Sequence, residues 1–260
     1  MENINVTIIQ THMFWENVHA NLKHFDVKID NITKPTDIIV LPEMFTTGFT
    51  MNPKQFAEEH SGNGLQWMIE KAKQKKCVIV GSISVKDKGQ FYNRLYWIKP
   101  DGSFQFYDKR HLFKMGNEDT FYTAGSEKLI IEYKGWKTCP LICYDLRFPV
   151  WSKNQKENSY DVLIYVANWP EVRAYPWKQL LIARAIENQS YAVGLNRIGI
   201  DGNGISHSGD SAVINPRGEL ISTIQSHEDK TESFDLSYNY LEDFRNLFPV
   251  LSDGDQFKIL

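Results

Sequence analysis

A cysteine at the end of an apolar run is the residue whose type and position best suit chemistry. Cys143 closes the run Pro140–Ile142, and a polar, turn-forming stretch begins at Tyr144. The other two cysteines, Cys77 and Cys139, lie inside apolar runs, where free cysteine usually acts as a small hydrophobic residue. Because a cysteine nucleophile reacts as the thiolate, it needs a general base or a cation nearby. We therefore predict that Cys143 is a nucleophile and look for its companions.

Three charged residues upstream supply such companions. Glu43 follows an apolar run that ends at Leu41-Pro42, Lys109 follows the run that ends at Tyr107, and Glu118 lies in a polar segment. Taken singly, Glu43 could be a carboxylate at a helix N-terminus, and Lys109 and Glu118 could be solvated surface charges. Together with a thiol they fit one mechanism, in which a glutamate takes the proton, a lysine stabilises the oxyanion and the cysteine forms a thioester. This set predicts hydrolysis of a carbon–nitrogen bond.

The histidines do not suggest a competing site. The seven histidines are scattered, with no H-x-x-x-H spacing and no carboxylate-rich cluster in the sequence. A zinc site is therefore not predicted. A papain-like catalytic pair of cysteine and histidine also fits this sequence less well than the set of glutamate, lysine and cysteine.

Composition limits the class of protein. The chain has 260 residues, 42% hydrophobic content and a net charge of −3, which suffices for one large domain and favours neither nucleic acid nor an anionic membrane as a partner. We see no signal peptide, no apolar stretch that approaches a membrane span and no disulfide framework. These features lead us to expect a cytoplasmic protein. No linker interrupts the chain, so we predict a single domain over residues 1–260.

The elements that must position these side chains alternate along the chain. Apolar runs and amphipathic segments predict an α/β fold with a mixed sheet, because strands and helices alternate near the start and again after residue 161, with hairpins between. The predicted strands are Ile4–Gln10, Asp37–Leu41, Cys77–Val85, Tyr92–Ile98, Phe104–Tyr107, Lys128–Tyr133, Lys137–Cys143, Asp161–Ala167, Tyr191–Arg197, Asp210–Ile214 and Leu220–Ile224. The predicted helices are Trp15–Ile32, Leu65–Lys75 and Trp177–Gln189, and a strand and a short helix follow Ser233.

Three ordered motifs give the chain a family resemblance. It resembles the nitrilase superfamily of carbon–nitrogen hydrolases in the segments Leu41–Phe45, Tyr107–Phe113 and Cys143–Pro149. Within that superfamily it is most similar to the ω-amidases, in the segments Tyr165–Pro170, Ala183–Gln189 and Asp201–Gly204. The three core motifs at these separations are highly specific together, and the resemblance extends over nearly the whole chain.

The resemblance implies both a fold and a set of roles. It implies a four-layer α-β-β-α sandwich that forms a homodimer through its outer helices. It also implies amidase rather than nitrile chemistry, with no metal and no organic cofactor. Carried onto the matching positions, Glu43 is the general base, Lys109 the oxyanion stabiliser and Cys143 the nucleophile. Glu118 matches the family's second glutamate, which helps to orient the lysine and the substrate.

The substrate implied by the resemblance is a small ω-amide of an α-keto acid, such as 2-oxoglutaramate. Its far carboxylate needs a cation, and Arg147 and Arg173 are candidates because a guanidinium can bind a carboxylate with two hydrogen bonds. Arg147 is equally suited to a structural ion pair. The aromatic residues of these segments could wall the pocket or could be core residues. They are Phe45, Tyr144 and Trp169.

Other functions stay open at this point. Within the family, the enzyme could be an amidase for deaminated glutathione or an amidohydrolase for N-carbamoyl amino acids. A different class is a catalytically silent member of the fold that acts in an assembly, although the intact set of glutamate, lysine and cysteine argues against it.

Overall fold

The computed structural model describes residues 1–155 and 157–259 of the chain. Its helices are α1 (Val18–Asp30), α2 (Pro53–Phe56), α3 (Asn63–Lys75), α4 (Glu118–Phe121), α5 (Pro149–Ser152), α6 (Ala174–Asn188) and α7 (Tyr238–Leu247). Its strands are β1 (Ile4–Gln10), β2 (Ile38–Val40), β3 (Glu58–Glu59), β4 (Val78–Asp87), β5 (Gln90–Ile98), β6 (Phe104–Asp108), β7 (Ile131–Tyr133), β8 (Trp136–Ile142), β9 (Val162–Ala167), β10 (Tyr191–Asn196), β11 (Ile198–Ile200), β12 (Ser206–Ser208), β13 (Ala212–Ile214) and β14 (Lys230–Leu236). Across these described residues, no helix is both long and apolar enough to span a bilayer.

The strands form two large mixed sheets. The first has seven strands in the order β14-β1-β2-β4-β5-β6, with β3 added beside β4. The second has five strands in the order β13-β10-β9-β8-β7, and β11 and β12 form a separate hairpin. In each sheet the central strands are parallel and antiparallel strands lie at the edges, with β1, β2 and β4 parallel in the first sheet and β8, β9 and β10 parallel in the second.

The two sheets pack face to face between layers of helices. Side chains alternate along β4, so that Val78 and Val80 enter the core shared with the second sheet while Ile79 enters the core under α1 and α3. On the far side of the second sheet, Trp177 and Leu181 of α6 join the core. This arrangement confirms the predicted four-layer α-β-β-α sandwich.

One predicted strand does not form. The turn at residues 215–218 closes as expected, but the segment Leu220–Ile224 makes only an isolated bridge, between Ile214 and Leu220. The reason lies in the hydrogen bonds of Val213, whose N–H donates to the side-chain hydroxyl of Ser222 (3.2 Å) and not to a backbone carbonyl. The hydroxyl takes the place of the backbone carbonyl that would accept this bond in a sheet, so the strand pairing does not continue. The prediction of a strand there was wrong.

Candidate active site

Strand ends bring the predicted catalytic residues together. Lys109 directly follows β6, Cys143 directly follows β8, and Glu43 lies three residues after β2. Since β2 and β6 belong to the first sheet and β8 to the second, these side chains meet where the two sheets face each other. Lys109, Glu43 and Glu118 are fully buried, and Cys143 retains 8% exposure. The sequence prediction that strand ends deliver these groups to one place agrees with their positions.

One ammonium group joins the two buried carboxylates. The Nζ of Lys109 lies 2.8 Å from Oε1 of Glu43, and 3.1 and 2.9 Å from Oε1 and Oε2 of Glu118. The backbone N–H of Phe113 donates to the same Glu118 oxygen, Oε2, at 2.6 Å. Charge-assisted bonds of this kind hold each partner in a fixed orientation. Both oxygens of Glu118 therefore contact the lysine, while the second oxygen of Glu43 is left for other donors.

Two asparagines complete this network, and the sequence reasoning missed both. Asn93 of β5 donates from Nδ2 to Oε1 of Glu43 (2.8 Å) and to Oε1 of Glu118 (3.1 Å). Asn168, directly after β9, donates its backbone N–H to Oε2 of Glu43 (2.8 Å) and its Nδ2 to the carbonyl of Glu43 (2.5 Å). A polar residue inside the apolar strand β5 was the available signal for Asn93. Asn168 lies within the segment that carries the ω-amidase resemblance.

The backbone at Cys143 is in an unusual conformation. Its φ is +43°, in the left-handed region that residues with a side chain rarely adopt, and a 3₁₀ turn follows it. The buried carboxylate of Asp145 stabilises this bend by accepting bonds from the N–H of Ile142 (3.0 Å), the hydroxyl of Tyr107 (2.8 Å), and the N–H and Nδ1 of His111 (3.1 and 2.8 Å). Asp145 thus ties the cysteine turn to the segment that carries Lys109.

Burial sets the protonation states of the site. Desolvation raises the pKa of the Cys143 thiol well above its usual value, and the Glu43 carboxylate adds to this rise while Lys109 opposes it. Burial also raises the pKa of the Glu118 carboxyl, against the opposing effect of Lys109. For Lys109, burial lowers the pKa, but Glu118 and Glu43 outweigh it and raise the pKa above the usual value. The directions of these shifts favour a protonated thiol beside a charged lysine.

A cavity of about 470 Å³ opens beside Cys143. The volume suits a small organic ligand. Its wall contains the predicted substrate-binding residues Tyr144, Arg147, Trp169 and Arg173. The remaining lining residues, which the sequence did not assign to a pocket, are Phe49, Met51, Phe113, Met115, Gly116, Asn168, Pro170, Asp201, Asn203, Ile205 and His207.

Phe45 does not belong to this cavity. It is fully buried in the core under the outer helices, where its ring packs against Phe25 of α1 (5.6 Å between centroids) and Trp67 of α3 (5.5 Å). The turn after Glu43 directs the ring away from the second sheet. The structure therefore corrects the placement of Phe45 as a pocket wall, and its alternative as a core aromatic is the one that fits.

The two arginines of the cavity are held by aromatic rings. The guanidinium carbon of Arg147 lies 5.0 Å from the ring centroid of Trp169, and that of Arg173 lies 5.2 Å from Phe113. Within residues 1–155 and 157–259, neither guanidinium has a carboxylate or carbonyl partner. The stacking fixes each planar group and leaves its N–H donors free for a ligand.

One group of possible metal ligands lies outside this cavity. The ligand atoms of His12, His24 and Asp229 lie within 4.8 Å of one another. They come from separate segments, so sequence spacing gave no sign of them. The Lys28 ammonium forms an ion pair with Asp229, and its charge neutralises the carboxylate that a cation would need. We assign no metal to this group.

Comparison with known proteins places the chain in a family. A family model for carbon–nitrogen hydrolases matches residues 5–246. The chain belongs to the carbon–nitrogen hydrolase family. It is 45% identical over 261 residues, covering all of both chains, to a protein of Escherichia coli (strain K12) named omega-amidase YafV. It is 33% identical, over 83% of this chain and 84% of the relative, to the 2-oxoglutaramate amidase of Bacillus subtilis (strain 168).

Solved structures agree with this membership. XC1258 from Xanthomonas campestris, a carbon–nitrogen hydrolase with an arsenic adduct in its active site, superposes with a TM-score of 0.97 at 38% identity over the whole of both chains. Nit3 of Saccharomyces cerevisiae, a nitrilase-superfamily member, shares the fold with a TM-score of 0.87 at 23% identity over 96% of this chain and 95% of that one. This carbon–nitrogen hydrolase is thus an enzyme that acts on non-peptide amides, which removes the catalytically silent alternative.

Proposed function

We propose that this carbon–nitrogen hydrolase cleaves the terminal amide of a small α-keto acid ω-amide, such as 2-oxoglutaramate, to the acid and ammonia. The observation that carries the proposal is the pair of free guanidinium groups, Arg147 and Arg173, in the same cavity as Cys143. A substrate with a carboxylate at the end remote from its amide would satisfy one or both of them. The names of the Escherichia coli and Bacillus subtilis relatives support the same substrate class.

The proposed first half-reaction forms a thioester. Glu43 accepts the proton of Cys143 as the sulfur attacks the amide carbon, and Lys109 with the backbone N–H of Tyr144 binds the oxyanion. The protonated Glu43 then gives its proton to the departing ammonia as the carbon–nitrogen bond breaks. Support comes from the contact between Lys109 and Glu43 and from the raised pKa of the thiol, which favours transfer of the proton during attack over a resting thiolate.

The proposed second half-reaction hydrolyses the thioester. Glu43 removes a proton from water, the resulting hydroxide attacks the thioester carbon, and the Cys143 thiol leaves with the proton that Glu43 returns. Glu118 holds Lys109 in position throughout. Because every proton and leaving group is accounted for by these residues and by water, the cycle requires no metal and no organic cofactor.

Three predictions about the whole molecule, its domain organisation, oligomeric state and location, are also proposals. We propose one domain over residues 1–260 and a cytoplasmic location, as the composition and the absence of a linker lead us to expect, and a homodimer formed through the outer helices, as the resemblance implies. Light scattering coupled to gel filtration measures the oligomeric state, and a mass of one chain would contradict the dimer.

An ammonia-release screen tests the substrate class. The panel contains 2-oxoglutaramate, deaminated glutathione, an N-carbamoyl amino acid and an aliphatic nitrile. We expect 2-oxoglutaramate to give the largest kcat/KM. A preference for deaminated glutathione or the carbamoyl compound would support one of the family alternatives, and a preference for the nitrile would contradict amidase chemistry.

Matched arginine variants test the carboxylate contact. Arg147→Lys and Arg173→Lys keep the charge but lose the planar pair of donors. A lost hydrogen bond to a charged group costs about 1.5–3 kcal/mol, so we expect KM to rise roughly 10- to 100-fold in the variant of the binding residue. The change in kcat should be smaller, since the contact exists in both the ground state and the transition state. If KM is unchanged in both variants, neither arginine binds the substrate.

A further inference from the structure

Asn93 has a contact pattern that the proposed catalytic cycle does not use. It is fully buried in β5, and its single amide nitrogen donates to Oε1 of Glu43 and to Oε1 of Glu118. The same two oxygen atoms receive the ammonium of Lys109, at 2.8 and 3.1 Å. Two donors and two acceptors thus form a closed ring. The backbone also takes part, since the N–H of Lys109 donates to the carbonyl of Asn93 at 3.0 Å.

The electrostatics of this ring explain why a neutral donor is useful there. Two buried carboxylates share one ammonium, and two like charges at a short distance favour protonation of one of them. A second lysine would cancel the charge of the general base. An amide donates two hydrogen bonds without adding charge, and hydrogen bonds to the ionised form of a carboxylate stabilise that form. Asn93 therefore favours ionised carboxylates while Lys109 remains available for the oxyanion.

The orientation of the amide supports a role for its donors. The other polar atom of the Asn93 amide, Oδ1, is buried and has no hydrogen-bond partner among the described residues. Turning the amide over would place this oxygen against two carboxylate oxygens, so the observed orientation is the one that the neighbouring charges impose. An unsatisfied buried acceptor is a cost to stability. This orientation leaves Oδ1 unsatisfied, and it gives both carboxylates a neutral donor.

We propose that Asn93 is a positioning residue that keeps Glu43 ionised as the general base when Lys109 turns towards the oxyanion. This inference rests on the proposed roles of Glu43, Lys109 and Cys143. When Lys109 binds the oxyanion, its bond to Glu43 weakens, whereas Asn93 still donates to both carboxylates. The ring itself contains the titratable groups of Lys109, Glu43 and Glu118. Two further titratable groups face it, the thiol of Cys143 and the hydroxyl of Tyr122, which bonds to Ser84 and to the carbonyl of Thr50.

The pH dependence of kcat, which reports the groups of the enzyme–substrate complex, tests the proposal. Asn93→Leu has a similar volume and no donor, so the base of this variant should be protonated more readily. Loss of a donor to the charged form raises the carboxyl pKa, and the acid limb of the profile should move to higher pH by about one unit or more, a tenfold loss of activity on that limb. Asn93→Ser can donate to only one carboxylate and should give a smaller shift. It also keeps the test decisive if the leucine variant does not fold.

A matched control separates positioning from general stability. Asn154 is also buried (3% exposed), and its side chain bonds to the carbonyls of Tyr160 and Asn188, away from the cavity. Asn154→Ser should lower the thermal midpoint and leave the acid limb in place. A folded Asn93→Ser or Asn93→Leu enzyme with the wild-type acid limb would overturn the proposal. Activity in Cys143→Ala would instead overturn the catalytic assignment itself, so the two failures are distinguishable.

Discussion

Asp145 offers a sharp test of how the fold holds the cysteine turn. Its two carboxylate oxygens accept four hydrogen bonds, two at Oδ1 from His111 and two at Oδ2 from Tyr107 and Ile142. Asn at this position has one oxygen, so its amide nitrogen faces two donors and those two bonds are lost. Each unsatisfied buried donor costs about 1–3 kcal/mol, so we expect Asp145→Asn to lose about 3 kcal/mol of unfolding free energy. For a chain of this size that corresponds to a fall of roughly 6–12 °C in Tm.

The same substitution should damage turnover more than binding. The left-handed φ of Cys143 depends on the Asp145 contacts, and a nucleophile displaced by about 1 Å can lose about 100-fold in rate. We expect kcat for 2-oxoglutaramate to fall by about that factor, with a smaller change in KM because Asp145 contacts neither arginine. Calorimetry and an ammonia-release assay on the same preparation measure both effects.

Asp161 provides the control for this experiment. It is also buried, and its carboxylate accepts the N–H of Lys137 (2.9 Å) and a guanidinium N–H of Arg245 (2.7 Å), away from the cavity. Asp161→Asn should lower Tm by a comparable amount and leave kcat within about twofold of wild type, as expected for a change without contact to the site. A folded Asp145→Asn enzyme with normal kcat would refute the reasoning, and so would an equal loss of kcat in Asp161→Asn.

Three further substitutions separate the roles within the site. Lys109→Ala should lose at least about 100-fold in kcat, as removal of an oxyanion donor does, and a loss below tenfold would contradict that role. Glu43→Gln keeps the shape but cannot accept a proton, and because general-base catalysis contributes about 10²–10⁴-fold, activity above a tenth of wild type would exclude it as the base. Phe45→Ala should cost about 3–5 kcal/mol of stability as a core truncation, measured by chemical denaturation, and a rise in KM without loss of stability would return Phe45 to the pocket.

The sequence predicted the site best where a reactive side chain directly follows an apolar run. Glu43, Lys109 and Cys143 could be grouped before the fold was known, because each follows an apolar run and the three residue types together fit one mechanism. The four-layer architecture followed from the family resemblance, since alternation alone predicted only a mixed α/β sheet.

The sequence was less informative about contacts between distant segments. Asn93 and Asn168 bond to Glu43 across 50 and 125 residues, so a local pattern can mark each of them as polar but cannot name its partner. The sequence left Phe45 open between a pocket wall and a core aromatic, because nothing local shows that the turn after Glu43 directs its ring into the core. The hairpin of β11 and β12 was missed because each strand has only three residues, too few for a period to show.

The most direct test of the account compares cysteine variants on one substrate. Cys143 lines the cavity, whereas Cys77 is fully buried in the core under the outer helices. We predict that Cys143→Ala keeps the wild-type circular dichroism spectrum and releases no ammonia from 2-oxoglutaramate, while Cys77→Ala stays active. Iodoacetamide should alkylate Cys143 first in the wild type. Near-normal ammonia release by a folded Cys143→Ala enzyme would contradict the central claim that this thiol forms the thioester.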